Sequence, residues 1–399
     1  MVPQLPLDVI HLIADQVDDA IPWYLYDRET LAVQLDERQT VGRAMCLVCR
    51  DWREIGMGLV WGTVSLDLPD DATLLGHLIV WPRLPPFVRE IRVFCRHADF
   101  MVAAVSLGVL LSVCETVTDV RFETEGRPLL RQSDVRAQLP SHLPALRRVR
   151  IDPEGALSST HIESIMSAIL ALPHLDRLYL ALRPIDHSPP PSLPSAPTPK
   201  PLERLQLGIF APCPRSEQAW AERILLSFDP TSLHTFFLFI REPTSAPLLS
   251  FFRRATKLVT LRFLPSRAGV ISLYSRLGTV FPCLRTLQYL EIDDVTGSTI
   301  LGREEHLLTV LSHLPRHLKA VSLFGDHRNV PHLFSPFLRS RLDSPLDQFA
   351  LSFEDGNFHD SCVWAKRQSW ATREMRWVKT DWREKVFEKR LPRGSLLGM

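Results

Sequence analysis

A short apolar motif recurs along most of this chain, and a chain so patterned is constrained to a stack of like units instead of one compact core. The motif is apolar-x-x-apolar-x-apolar. It stands as FVREIRV, VTDVRF, LRRVRI, LDRLYL, LERLQL, LHTFFL, LVTLRF, LRTLQY, LKAVSL and LDQFAL. The first apolar residues are Val88, Val117, Leu146, Leu175, Leu202, Leu233, Leu258, Leu284, Leu318 and Leu346. The first three intervals are 29 residues each, and the later ones run from 25 to 34. WGTVSL, from Trp61, is an earlier and irregular copy. At 399 residues the chain exceeds what a single core organises, which agrees with stacking.

Segments between the motifs have helical period. STHIESIMSAILALP places Ile162, Ile165, Met166 and Ile169 on one face after Ser159 or Thr160 as N-cap. RSEQAWAERILLSF begins at Ser216 and stacks Trp220, Ile224 and Leu225; REEHLLTVLSHLP repeats the arrangement near Leu307. Each unit is a strand followed by a helix, too small to bury its own apolar face, so neighbours supply the core. The Pro-rich stretch Arg183 to Pro201 takes the place of one helix as an exposed loop, with Pro191-x-x-Pro194 as an alternative polyproline ligand. Met101 to Cys114 is too short an apolar run to cross a bilayer and is expected as a buried helix.

From Trp61 to Phe353 this pattern resembles the leucine-rich repeat family. The resemblance implies an α/β solenoid. The Asn or Cys that follows the strand in that family is replaced by Glu154, Arg183 and Ser266, so the expected solenoid is irregular.

Before the repeats, Leu5 and Pro6 precede LDVIHLIADQV, where Pro6 suits the first helical position and Val9, Ile10, Ile13 and Val17 share a face. After an insertion from Asp19 to Thr40, a second amphipathic helix carries Ala44, Val48, Trp52, Ile55 and Leu59, with Leu47 and Cys49 adjoining. Cys46 and Cys49 have no second Cys or His pair nearby to complete a tetrahedral zinc shell.

These residues resemble the F-box family. The matching positions are Leu5-Pro6, Val9-Ile10, Ile13, Leu47-Val48-Cys49-Arg50-Asp51-Trp52, Ile55 and Trp61. The resemblance implies docking to the Skp-type adaptor of a cullin-RING ubiquitin ligase through Leu5, Pro6, Val9, Ile10, Ile13, Leu47, Val48, Cys49 and Trp52. It implies further that the rest of the chain presents a protein substrate. The alternative is a repeat scaffold not coupled to a ligase, whose N-terminal residues merely cap the stack.

The expected organisation is therefore an all-helical module over residues 1–60, a leucine-rich-repeat-like solenoid over 61–355, and a helix-rich C-terminal cap over 356–399. The cap is read from an apolar seam of Trp364, Trp370, Trp377 and Trp382 among basic residues. Such a mixture also suits nucleic acid, but a capping segment is the plainer expectation.

In the resembled fold, residues between the apolar positions form columns. One column runs Arg92, Arg121, Arg150, Tyr179, Gln206, Phe237, Arg262, Gln288 and Ser322; its neighbour begins Glu90, Asp119, Arg148, Arg177 and Arg204. The expected substrate site is Arg92, Arg121, Arg148, Arg150, Arg177, Tyr179, Arg204 and Phe237. Planar guanidinium forks suit an acidic or phosphorylated segment. The competing expectation is a solvated face of Arg–acid pairs.

The remaining features exclude more than they assign. A formal net charge of +1 provides no global attraction to nucleic acid or an anionic membrane. Seven scattered cysteines form no disulfide framework and point to a reducing compartment, cytoplasm or nucleus. The N-terminus, with Asp8, Asp15, Asp18 and Asp19, does not resemble a secretory leader. No phosphate loop, dinucleotide fingerprint, zinc-protease motif or nucleophile elbow occurs. Glu304, Glu305 and His306 lack a nearby nucleophile, so a non-catalytic chain without a cofactor or metal is expected.

Overall fold

The computed structural model describes residues 28–68, 85–95, 113–124, 145–153, 157–184, 198–211, 213–241, 245–263, 276, 278, 280–292, 311–324, 331–355, 358–368 and 375–380. The chain divides into two compact units, with the boundary between Leu175 and Asp176.

The first unit opens with helices α1 (Arg28–Cys46) and α2 (Arg50–Trp61). Parallel strands follow: β1 (Thr63–Leu68), β2 (Glu90–Cys95), β3 (Asp119–Thr124) and β4 (Arg148–Pro153). Their register is strict, with Thr63, Glu90, Asp119 and Arg148 abreast. Strands β2 and β3 are each preceded by a tight turn in which the first apolar residue donates three residues back, Val88 to Pro85 and Val117 to Cys114. The carbonyls of Gly62, Arg89 and Thr118 each accept two N–H groups from the next copy of the motif. The irregular copy at Trp61 is thus a strand in register. Helix α3 (Ser159–Ala171) buries Ile162, Ile165, Met166 and Ile169, the face its period required.

In the second unit, parallel strands β5 (Arg177–Leu182), β7 (Arg204–Ile209), β9 (Thr235–Phe239) and β10 (Thr260–Phe263) lie side by side. They continue into β11 (Tyr289–Ile292), β12 (Ala320–Phe324) and β13 (Gln348–Asp355). Two short strands, β6 (Lys200–Pro201) and β8 (Phe228–Asp229), pair separately. Helix α4 (Pro214–Leu225) starts two residues before Ser216 because Cys213 takes the N-cap position and Pro214 the first turn. Its Trp220, Ile224 and Leu225 are buried as expected. Helix α5 (Ala246–Arg254) is capped by the Ser245 hydroxyl, which accepts from the Leu248 N–H at 3.2 Å. Helix α6 (Pro331–Ser340) precedes β13. The apolar core between α5 and the sheet is aromatic: the Phe252 ring stands 5.4 Å from Phe236 and 5.2 Å from Phe263.

Three expectations are corrected. The motif placed at Leu284 begins at Leu287, since Tyr289 pairs with Thr260 and Leu287 is the residue that closes the turn. Leu284 belongs to the preceding turn, and the interval from Leu258 becomes 29 residues, from 258 to 287. The expected helix through Ala44 and Leu59 is two helices broken at Leu47–Cys49, and α1 occupies much of the insertion. The described part of the C-terminal segment is not helical. It forms β14 (Phe358–Gln368) and β15 (Met375–Thr380), which add antiparallel strands beyond β13. Of the expected helical seam, Trp364 and Trp377 lie in extended strands, and Trp370 and Trp382 lie outside the described residues.

The first N-terminal helix, most of the Pro-rich loop and of the Met101 run, and Glu304 to His306 lie outside the described residues. No described helix is long and apolar enough to cross a membrane.

Candidate functional site

Helices α1 and α2 form a close pair because two glycines meet at their crossing. A Cβ on Gly56 would lie 2.5 Å from the Gly42 carbonyl and 2.8 Å from Cys46 Sγ. Met45 and Leu59 form the small core of the pair, with Trp52 and Ile55 packed against it. The connecting turn is fixed by the N–H groups of Leu47 and Val48, which donate to Ala44 and Met45. That turn holds Leu47 88% and Val48 59% exposed, beside exposed Cys49. Of the expected adaptor-binding residues, the structure brings Leu47, Val48, Cys49 and half-buried Trp52 together; Leu5, Pro6, Val9, Ile10 and Ile13 lie outside the described residues.

The strand face of the first unit centres on Glu90. Arg92 grips it with two donors, at 2.8 and 3.1 Å, and Arg121 Nε reaches the same carboxylate at 2.9 Å. The Thr63 hydroxyl donates to it at 3.2 Å while accepting from Arg38 of α1 at 2.7 Å. Burial pushes the Glu90 pKa up, but the two guanidiniums and the hydrogen bonds from Arg92 and Thr63 outweigh it and hold the value at about 2. One position across, Arg148 stands 3.3 Å from Asp119, which also accepts from the Thr118 hydroxyl at 2.6 Å. Burial dominates there and raises Asp119 to about 6, against the pull of Arg148. Arg150 pairs with Asp152 at 3.3 Å.

Arg92, Arg121 and Arg150 stack in register as the column reading expects, yet they are only 2–3% exposed. The face is neither a bare basic stripe nor a solvated one. Each of these guanidiniums is engaged by an acid on its own or a neighbouring strand, and Arg148, paired with Asp119, keeps 35% of its side chain exposed.

In the second unit the corresponding row is Tyr179, Gln206, Phe237, Arg262, Glu291 and Ser322. Glu291 stands where the sequence placed Gln288, and it pairs with Arg262 at 3.0 Å. Phe237 is fully buried between Arg204, 5.6 Å above its ring, and Arg262 at 5.9 Å. Arg177 reaches Glu203 at 3.7 Å and Asp176 at 3.9 Å. Gln206 was not among the expected binding residues. It is 1% exposed, and neither end of its amide has a hydrogen-bond partner. Its place in the Tyr179–Phe237 column was the available signal; its burial is legible only in three dimensions.

Among the described residues no group of three or more His, Cys, Asp or Glu side chains is placed to hold a metal ion. Cys46 is engaged with the carbonyl of Arg53 at 3.6 Å. No protein-family model matches the chain, and no curated protein matches it. The two family resemblances therefore rest on residue pattern.

Proposed function

We propose that this chain is the substrate-recognition subunit of a Skp–cullin–F-box type ubiquitin ligase, docking an adaptor with its N-terminal helices and a protein substrate with its strand face. The observation that supports this most is the exposed Leu47–Val48 pair. The helices around it already have a core in Met45 and Leu59, so these two side chains are left for a partner. A partner helix covering them would gain the burial of two aliphatic side chains, about 1.5–3 kcal/mol each when complete. Most interfaces derive their affinity from a few such anchors.

In this reading the chain performs no chemistry itself. It holds a substrate segment near the transferring enzyme of the complex. Arg148, with 35% of its side chain exposed, is the position where an acidic or phosphorylated residue would meet a guanidinium.

Leu47→Glu combined with Val48→Glu tests the docking half. The expected result is loss of co-purification with a Skp-type adaptor and cullin, with thermal unfolding unchanged. Leu5→Ala with Pro6→Ala is expected to act likewise. Undiminished recovery of the adaptor by both variants would leave the uncoupled scaffold as the better account.

A further inference from the structure

Gln206 lies at the middle of β7, in register with Tyr179 of β5 and Phe237 of β9. Adjacent strands are about 4.8 Å apart, so the three side chains are immediate neighbours on one face. A buried amide with both Oε1 and Nε2 unpartnered is rare, because donor and acceptor have left water with nothing in exchange. Held on the central part of a strand, it is a preformed half of a hydrogen-bonded pair.

The surrounding charges identify the missing half. Arg262 is matched by Glu291, Arg177 by Asp176 and Glu203, and Arg204 lies over the Phe237 ring. Three arginines face three acids here, so the patch has no surplus charge with which to draw a phosphate backbone. A neutral amide fits instead. In a primary carboxamide, or across one extended peptide residue, a carbonyl and an N–H lie on the same side, so the carbonyl accepts from Nε2 while the N–H donates to Oε1, which satisfies both ends of Gln206 at once.

We propose that Gln206 is the specificity-determining residue of an amide-recognition site on the β5–β7–β9 face, taking the uncharged carboxamide of a peptide side chain or the N–H and C=O of one extended peptide residue. The proposal rests on the reading of the strand face as the substrate-holding surface. Tyr179 and Arg262 flank the site and are half-buried, and reaching Gln206 requires these two side chains to rotate aside.

The test uses the full chain and libraries of short peptides with randomised flanks and a fixed central Asn, Gln, Ala, Asp or phosphoserine, together with a single-stranded RNA pool. Gln206→Leu removes both orphaned atoms at similar volume. It is expected to raise the unfolding temperature while weakening peptide binding about tenfold, the loss of a pair of hydrogen bonds. Preference for Asn and Gln libraries assigns the ligand to a side-chain carboxamide; equal, Gln206-dependent binding of the Asn, Gln and Ala libraries assigns it to the main chain. Binding that survives Gln206→Leu, binding confined to the Asp and phosphoserine libraries, or Gln206-dependent binding of RNA alone would each overturn the proposal. Adaptor co-purification is measured on the same variant and is expected unchanged, so failure of this site and failure of the ligase reading are separate results.

Discussion

Arg38 and Thr63 are 25 residues apart in the chain and 2.7 Å apart in space, a guanidinium of α1 donating to the hydroxyl at the start of β1. Thr63 passes the contact on to Glu90, and Glu90 to Arg92 and Arg121, so α1 and three strands share one buried polar network. Networks of this kind are strong when complete and costly when broken, because each remaining member stays buried with an unmet charge or hydrogen bond.

Thr63→Val, which cuts the network at its hydroxyl, is expected to destabilise the first unit by about 1–3 kcal/mol. Arg38→Ala is expected to cost a similar amount, and the double variant less than the sum. Urea unfolding of the three variants measures the coupling; additive losses would show that the two side chains act independently.

The two acids of this face set opposing pH dependences. Glu90 is held at about 2 against an ordinary 4.5, so its stabilisation is complete above pH 4.5 and is lost as pH falls toward 2. Asp119 is raised to about 6 from 3.8, so its contribution is present below pH 3.8 and is lost as pH rises through 6. Each shift corresponds to about 3 kcal/mol at most. Asp119→Asn is expected to flatten the fall in stability between pH 4 and 6 and to leave the neutral-pH Tm equal or higher. Glu90→Gln is expected to lower it. Calorimetric scans across that range decide both.

Gly56→Ala puts a methyl group 2.5 Å from the Gly42 carbonyl, where no flexible side chain can yield. The expected cost is about 1–3 kcal/mol, read as earlier loss of helical ellipticity on heating. If the adaptor docks on this pair, binding weakens in parallel. An unchanged melting curve would mean the crossing is looser than these distances imply.

Phe252→Ala removes the ring shared by Phe236 and Phe263 and leaves a cavity beneath α5. Such truncations cost about 3–5 kcal/mol. Denaturant unfolding is expected to show that loss, with Phe252→Leu retaining most of the stability; equal losses in the two variants would point to ring–ring geometry instead of filled volume.

What the amino-acid order determined alone is periodic and local. The spacing from Val88 to Leu146 dictated parallel strands in register, and the face bearing Ile162, Ile165, Met166 and Ile169 dictated α3, because each depends on side chains a few residues apart. Where two phases of one pattern were available, as at Leu284 and Leu287, only the pairing of Tyr289 with Thr260 chose between them. The segments holding Trp364 and Trp377 likewise looked helical until β13 offered an edge to β14, and β14 to β15, for main-chain hydrogen bonds. The arginine column was visible as a column, but its state was not: whether Arg121 meets Glu90 or water, and whether Gln206 meets any partner, is decided by residues about 30 positions away. Periodicity is a property of one segment, whereas exposure and charge matching belong to surfaces that several segments must come together to make.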